Sequence, residues 1–488
     1  MNNNNPQKLS IIEKIGYSLG DLAANLIFQT LMAFLAFFYT DIYKIPPAKA
    51  SLVMLVGGFF GAFFNLIMGA IADRTNTRWG KFRPWILWTA IPFGVIALLA
   101  FSTPDFTESG KIVYAFITYF LLVIIYSANN LPYSALSGVI TGDMKERNSL
   151  SAYRFVAVMV AQFIIQVLLL PLAISVGHGD KAAGFEKVML VFAITGVICF
   201  LITFLTTRER ITPPKEQKTP LKQDLADLMK NKPWLIMLAL TILVFITLAL
   251  KGGMNIYYFR YYLDEASQIN FLNNIGFSNM LDSLSNIFGN AAFEEFRKPD
   301  SAPYATASII SAASTIAMII GIFFSKPLAD RFGKRNVFAI FLALSALCLI
   351  LINFLSANSV PGVFALQTLH GFIYGITIPL LWAMIADVAD YSEWKNKRRA
   401  TAIIFSAMIF GLKIGLSLGG AISTGLLSVF GYDANALVQT PAAMSGIKML
   451  ISVIPGLIFI AGAALLFGYS INKEMEIRVE TELKARRV

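Results

Sequence analysis

The sequence predicts an all-α membrane protein with about twelve transmembrane helices, and its composition and apolar runs carry that prediction. Of the 488 residues, 56% are hydrophobic and 14% are charged, whereas roughly a quarter of the residues of soluble proteins are charged. The mean hydropathy is +0.65. Apolar runs long enough to cross a ~30 Å hydrocarbon core recur from Leu19 to Tyr469. Because lipid offers the backbone no hydrogen bonds, such continuous runs predict helices and not alternating strands.

Twelve apolar runs, each bounded by charge, Pro or Gly, have about the ~20 residues that a spanning helix needs. They lie at 17–39, 48–71, 84–102, 111–137, 154–176, 187–206, 233–260, 304–326, 336–356, 362–386, 401–427 and 443–470. We expect an N-terminal six-helix bundle at 1–206, a cytoplasmic linker at 207–232, a C-terminal six-helix bundle at 233–470 and a cytoplasmic tail at 471–488. An extracellular insert at about 263–303 has its own apolar periodicity, which predicts one or two short helices, with disorder as the alternative.

The distribution of basic residues predicts the orientation of the bundle. The net charge is +11, and 29 of the 40 Lys and Arg residues lie in the connections that share a side with the N terminus. By the positive-inside rule, both termini are then cytoplasmic. Topology accounts for the surplus of positive charge, so we expect no nucleic-acid partner.

A short signature is repeated in the two predicted halves. Ala72-Asp73-Arg74 follows the second run, and Ala329-Asp330-Arg331 follows the eighth. Short inside loops collect basic residues in any case, but this does not explain the duplicated Asp-Arg, so we favour an internal repeat. Such loops can bridge the cytoplasmic ends of neighbouring helices when two repeats rock about a midplane site. The residues that we expect at this gate are Asp73, Arg74, Asp330, Arg331, Asp387 and Asp390.

Further motifs are spread over nearly the whole chain. They are Gly16-Tyr17-Ser18-Leu19-Gly20-Asp21, Arg78-Trp79-Gly80-Lys81-Phe82-Arg83-Pro84-Trp85, Asn130-Leu131-Pro132-Tyr133, Glu146-Arg147-Asn148-Ser149-Leu150, Lys251-Gly252-Gly253 and the long run from Trp382 to Lys395. In these positions the chain resembles the glycoside-pentoside-hexuronide:cation symporters of the major facilitator superfamily, the group that includes melibiose permease. The resemblance implies two six-helix bundles around a central polar cavity, transport by alternating access and a location in the bacterial inner membrane.

The resemblance also implies substrate-binding positions. In melibiose permease an Asp of helix I, an Asp of helix IV and an Arg of helix V hold the galactoside, and Asn25, Asn130 and Arg154 match them. Ser134 matches a Trp that stacks on the sugar, so Tyr133 and Trp382 are the aromatic faces that we expect instead. The full set of candidate substrate-binding residues is Asn25, Gln29, Asn130, Tyr133, Arg154, Lys251, Trp382 and Lys413.

In this chain, the positions that match the family's sodium site carry no carboxylate. Gly61 and Asn65 match the Asp pair of helix II, and Ser127 matches a Thr of helix IV. Without carboxylates a sodium ion loses the compensation for its dehydration, so a proton is the more favoured coupling ion. Asp21 is the leading proton-linked group, while Lys413 faces a place without negative charge. An anionic substrate and uncoupled facilitation stay open.

Each polar residue also has an ordinary structural interpretation. Asn25, Gln29 and Asn130 can hydrogen-bond neighbouring helices, and Arg154 can reach water at the cytoplasmic end. Asp21 can pair with a loop Arg, and Lys413 can form a buried ion pair, for example with Asp21. We interpret His370, in the tenth run, as a packing residue.

We therefore predict a secondary transporter for a sugar or glycoside. The main alternative is a carrier of a hexuronide or other anionic sugar, and a non-transporting sugar sensor is less favoured. An enzyme is disfavoured because the two histidines lie apart and no carboxylates cluster within the runs. No G-x-x-x-x-G-K-[ST] loop is present, so we expect no ATP and no cofactor. The expected partners are a sugar and the lipid bilayer, and we expect a monomer.

Overall fold

The described residues of the first half of the chain form seven α-helices. A computed structural model describes residues 8–141, 144–210, 228–288, 297–396, 401–436 and 438–487. The helices of the first half are α1 (Ile11–Phe37), α2 (Pro47–Arg74), α3 (Arg83–Ala100), α4 (Glu108–Ile140), α5 (Met144–Phe163), α6 (Leu169–Gly177) and α7 (Lys181–Thr206). A five-residue π-helix, Ile164–Leu168, joins α5 to α6, so these two helices form one crossing.

In the second half, the part of the chain that the structure describes contains ten α-helices. They are α8 (Lys232–Tyr257), α9 (Glu265–Asn274), α10 (Phe277–Phe288), α11 (Ala302–Phe332), α12 (Lys334–Ile352), α13 (Val360–Asn396), α14 (Thr401–Val429), α15 (Pro441–Ile451), α16 (Val453–Leu465) and α17 (Lys473–Arg487). The predicted insert contains the two short helices α9 and α10, and the predicted tail contains α17. Most of the predicted linker, residues 211–227, lies outside the described residues.

Twelve segments of the described chain are long and apolar enough to cross a membrane. Together with the all-helical structure they confirm the predicted fold class, an all-α membrane protein. The tenth crossing is longer than its apolar run suggested. Helix α13 continues to Asn396, and the added part is a polar end that includes Asp387 and Asp390.

The chain divides into two compact units. The first has the described residues up to 210 together with 281–288 and 297–301, and the second has the remaining described residues. The boundary falls within α10.

The six crossings of each unit pack in the same order. In the first unit α1 contacts α5 and α7, α4 contacts α2 and α3, and α3 contacts α7. In the second unit α8 contacts α14 and α16, α13 contacts α11 and α12, and α12 contacts α16. These are equivalent pairs of crossings, so each unit buries its apolar surface by the same arrangement.

The first helix of each unit also ends in the same way. Helix α1 runs into the π-helix Phe38–Ile42, and α8 runs into the π-helix Tyr258–Tyr262. The N–H of Tyr43 closes the first on the Phe38 carbonyl at 2.8 Å, and the N–H of Leu263 closes the second on the Tyr258 carbonyl at 3.1 Å. π-Helices are rare, so this shared ending is a specific sign of a structural repeat.

Side-chain caps set where several helices begin. The Ser10 hydroxyl accepts the N–H of Glu13 at 3.1 Å at the start of α1. Thr107, Asp180, Asn231 and Thr440 accept backbone N–H groups in the same way at the starts of α4, α7, α8 and α15. Such caps satisfy donors that have no partner within the helix.

Glycine allows the closest helix contact of the second unit. Helices α11 and α13 meet at Gly321, Gly371 and Gly375, where a Cβ atom would overlap backbone atoms of the facing helix. Small residues at such contacts let helices in lipid gain van der Waals packing.

We expect Gly375→Val to lower the thermal unfolding temperature in detergent, because the new side chain collides with the Met318 carbonyl. Overpacking of this kind costs about 1–3 kcal/mol. Gly138→Val is the matched control, since a Cβ at Gly138 meets nothing within 4 Å. Equal unfolding temperatures for the two variants would contradict this account of the contact.

Candidate functional site

A charged pair lies between α1 and α5 in the first unit. Arg154 Nε donates to Asp21 Oδ2, and Arg154 Nη2 lies 3.4 Å from Asp21 Oδ1. The Asp21 side chain is 6% exposed and that of Arg154 is 26% exposed. A lone charge within a spanning helix is costly, so each residue offsets the charge of the other. The sequence presented them as separate candidates, and the structure brings them together.

Two tyrosines support this pair. The rings of Tyr17 and Tyr133 stack with their centroids 4.7 Å apart. Each hydroxyl donates to the other residue's carbonyl, at 2.9 Å from Tyr17 and 2.7 Å from Tyr133. The Arg154 guanidinium lies 5.6 Å from the Tyr17 ring centre and 5.2 Å from that of Tyr133, which adds a cation–π attraction. Gly20 leaves the room that the Tyr133 ring occupies.

This arrangement changes what Tyr133 can do. Its side chain is 0% exposed, and its ring faces Tyr17 and Arg154. In this conformation Tyr133 holds Arg154 and does not present a face for stacking on a sugar. That expected stacking role stays a prediction for another conformation.

The predicted amides lie on α1, which carries Asp21, and on α4, which carries Tyr133. Asn25 Nδ2 donates to the Asp21 carbonyl at 2.9 Å, which places it one turn above Asp21 on α1. Gln29 lies one further turn along α1, and Asn130 lies on α4; all three amides are half-buried. Amides in such positions can donate to and accept from hydroxyl groups.

The positions predicted to match the family's sodium site, Gly61, Asn65 and Ser127, lie where α2 meets α4. A Cβ at Gly61 would overlap the Cγ1 of Val123, so Val123 occupies the room that a larger side chain would need. Asn65 Nδ2 donates to the Gly61 carbonyl at 3.2 Å, and Ser127 Oγ donates to the Val123 carbonyl at 2.8 Å. Within the described part of the chain, no three His, Cys, Asp or Glu side chains are grouped to hold a metal ion.

The second unit has a polar cluster around α8 and α13. Asn255 Nδ2 lies 3.4 Å from Ser311 Oγ, and Gln367 Nε2 lies 3.4 Å from Asn255 Oδ1. Lys251 lies one turn before Asn255 on α8 and is half-buried. His370 follows Gln367 on α13 and is buried. Sequence reasoning predicted Lys251 only.

The other two candidates of the second unit differ in exposure. Lys413 is half-buried on α14, whereas Trp382 on α13 is 40% exposed. The ring of Trp382 is therefore more accessible than that of Tyr133.

At the predicted cytoplasmic end of the first unit, one carboxylate closes the loop before α3. Glu209 accepts the backbone N–H groups of Lys81, Phe82 and Arg83 at 2.9, 2.7 and 2.9 Å. A carboxylate at a helix N-terminus also interacts favourably with the helix dipole. Gly80, with φ of +111°, brings the loop so close that a Cβ would overlap Glu209. Nothing in the sequence identified Glu209.

The second unit has an equivalent loop. Gly333 has φ of +82°, and its missing Cβ would lie 3.2 Å from the Cβ of Lys473. Lys334 donates to both Asp387 oxygens at 2.6 Å and lies 3.5 Å from Glu476. Burial raises the pKa of Glu476, and the charge of Asp387 raises it further. Three charged groups thus join α12, α13 and α17 within this unit.

The remaining gate residues are placed differently from our expectation. The Asp330 carboxylate pairs with Lys326 of its own helix at 2.7 Å, and it is the Asp330 carbonyl that accepts from Lys473 at 2.7 Å. Arg331 covers the ring of Phe332. Arg74 and Asp390 are exposed, and the side chain of Asp73 lies outside the described part of the structure. The bridge that we expected from Asp330 is made by Lys334 and Asp387, and a gating role stays a prediction for all of them.

Comparison with known proteins identifies the family. A sequence model of the family described as MFS/sugar transport protein matches residues 16–292 and 303–473. The chain belongs to this family. It is a membrane transporter of the glycoside-pentoside-hexuronide symporter type within the major facilitator superfamily, and not an enzyme.

Two relatives and one solved structure are similar to this chain. The chain is 34% identical over 455 residues to the inner membrane symporter YicJ of Escherichia coli (strain K12), covering 93% of this chain and 90% of that one. It is 31% identical over 466 residues to the isoprimeverose transporter of Lactiplantibacillus pentosus, covering 94% and 89%. The nucleoside transporter NupG has a similar structure, with a TM-score of 0.55, 14% identity and coverage of 94% and 98%; at that identity it shows the fold alone.

Several residues of the site lay outside the sequence-based prediction. Tyr17, Asn255 and Gln367 are polar groups within spanning helices, and that property could have selected them. Asn255 is also one helical turn from Lys251, so the two share a face. Glu209 follows the sixth crossing in a solvated stretch, where its partners cannot be read from spacing.

We predict that Asp21→Asn and Arg154→Gln each destabilise the protein more than the double variant does. Each single change removes compensation from a charge within the bundle; for fully buried pairs this costs about 3–5 kcal/mol, and we expect less here because Arg154 is partly exposed. Thermal unfolding in detergent of the parent, the two single variants and the double variant measures this double-mutant cycle.

The Lys326–Asp330 pair is the control for this cycle, because its side chains are 86% and 65% exposed. Exposed pairs contribute little, so removing Lys326 or Asp330 should leave the unfolding temperature nearly unchanged. Strictly additive effects of Asp21→Asn and Arg154→Gln would contradict the pairing.

Proposed function

We propose that this protein moves a sugar or glycoside across the bacterial inner membrane by alternating access, coupled to a proton, with both termini in the cytoplasm. The observation that carries the proposal is the Asp21–Arg154 pair held by two tyrosines within spanning helices of a sugar-transporter family member. The naming of one relative as an isoprimeverose transporter and of another as an inner membrane symporter supports the substrate class and the location.

The groups around the pair suit a ligand with many hydroxyls. Arg154 has five N–H donors in a planar fork, and the pair with Asp21 engages only its Nε and Nη2. One N–H of the Asn25 amide donates to the Asp21 carbonyl. The amide oxygen and the second N–H are then left for a ligand. A sugar that binds here meets both donors and acceptors on α1 and α5.

The charges favour a proton as the coupling ion. Asp21 is the one carboxylate of the pair, and its oxygens can accept either the N–H groups of Arg154 or a proton. A substrate that binds Arg154 in place of Asp21 leaves the carboxylate open to a proton, and a proton on Asp21 leaves Arg154 open to the substrate. The former sodium positions support the same choice, because Val123 closes the space at Gly61.

An anionic sugar, such as a hexuronide, is the second candidate. Lys251 places a basic group in a spanning helix of the second unit, and a carboxylate on the substrate would compensate its charge. Arg154 does not add to this argument, because Asp21 already offsets its charge.

Proteoliposomes with separate sodium and pH gradients test the proposal with labelled neutral and acidic sugars. We expect an inward proton gradient to drive accumulation and a sodium gradient to have little effect. Asp21→Asn should abolish accumulation but keep sugar exchange, because the site still binds without a titrating carboxylate. Binding without any uptake would instead indicate a sensor, and a steep sodium requirement would refute proton coupling.

The closed space at Gly61 gives a second test. Gly61→Asp combined with Asn65→Asp restores the two carboxylates, but we expect no sodium response, because Val123 occupies the room. Adding Val123→Ala to these two changes should produce sodium-stimulated transport. Sodium stimulation with Val123 still in place would show that the space is not limiting.

A further inference from the structure

One contact fixes the depth of α8 against α13 in the second unit. Gln367 Nε2 faces Asn255 Oδ1 at 3.4 Å. The end of α8 also meets the residues that precede α13, since the Tyr262 hydroxyl donates to the Leu355 carbonyl at 3.3 Å. The two helices are therefore antiparallel where they contact each other.

Lys251 and His370 lie at the same depth, one turn inward from this contact. Lys251 precedes Asn255 by four residues, and His370 follows Gln367 by three. Residues three or four apart share a helix face, and at 1.5 Å per residue both lie about 4.5–6 Å deeper than the amides.

His370 is held in one orientation. Its Nδ1 lies 2.9 Å from Ser345 Oγ and 3.3 Å from the Ser345 carbonyl, which can only accept. Its ring is nearly parallel to those of Tyr374 and Phe459, at 6.0 and 6.4 Å. A proton on Nδ1 satisfies the carbonyl and leaves Nε2 with its lone pair.

No carboxylate of the described chain accompanies these two bases. Lys251 makes no hydrogen bond or ion pair with a described residue, and the titratable group that acts on it is Cys348 of α12. The titratable groups that neighbour His370 are Lys251 of α8 and Tyr374 of α13; Phe459 of α16, which also packs on the ring, carries no charge. Two positive charges at this depth would repel each other in a medium that screens poorly.

We propose that Lys251 and His370 form a proton-binding site of the second unit that holds one proton in total. Lys251 carries this proton while His370 stays neutral. When the lysine loses its proton, the repulsion that opposes protonation of His370 disappears, so either base can take up the next proton. The use of this proton in transport rests on the proposed function, but the site itself does not.

Histidine NMR tests the site without transport. The chain has two histidines, so His178→Gln leaves His370 as the single reporter in nitrogen-15 histidine-labelled protein. We expect a neutral ring with the proton on Nδ1 from pH 6 to 8. An imidazolium signal at pH 7 would overturn the proposal even if no other variant folds.

Removing the lysine charge gives the second measurement. In His178→Gln/Lys251→Met, we expect His370 to protonate at a pH about one unit higher or more, because the repulsion is gone. His178→Gln/Lys251→Arg is the matched control and should behave as the parent does. An unchanged His370 titration in the Met variant would refute the shared proton.

Transport measurements then separate the two proposals. If the NMR results hold while a proton gradient drives no uptake, the shared site stands and the proposed coupling fails. If a proton gradient drives uptake while the His370 titration is unchanged by Lys251→Met, the coupling stands and the shared site fails.

Discussion

The cost of a charge inside a lipid-spanning bundle is the constraint on which the chemistry of this protein depends. The first unit meets it with opposite charges, because Asp21 and Arg154 lie together beside the two stacked tyrosines. The second unit has Lys251 and His370 with no described carboxylate beside them. An ion pair can separate so that each partner binds another group. A basic side chain without an acidic partner can avoid the cost of its charge only by losing its proton. The two units therefore handle charge by different means.

These differences are built on a repeated scaffold. Equivalent crossings pack in the same order, both first helices end in a π-helix, and Gly80 and Gly333 allow tight loops at equivalent positions. Backbone features of this kind depend on packing and on local conformation, which a repeat shares. Side chains within the bundle are free to differ, as Asp21 on α1 and Lys251 on α8 do.

Much of the fold could be predicted from the sequence, because hydropathy alone locates segments that must cross lipid. The site was less predictable. Asp21 and Arg154 were both selected, but their pairing joins residues 133 positions apart, and only the packing of α1 on α5 determines it. The burial of Tyr133 against Tyr17 follows from the same packing, and spacing along α4 gives no sign of it. Glu209 could not be predicted, since its partners are backbone groups of a distant loop.

The space at Gly61 and the pairing of Asp21 with Arg154 bear on the proposed coupling in the same way. A bound cation needs negative charge that nothing else neutralises, but Val123 fills the place beside Gly61 and Arg154 engages Asp21. In the proposed mechanism, a ligand and Asp21 compete for Arg154, so binding of the ligand and binding of a proton to Asp21 affect each other. By linkage each affects the other to the same extent. The proposed coupling between substrate and proton therefore needs no separate ion site, only one arginine that two partners share.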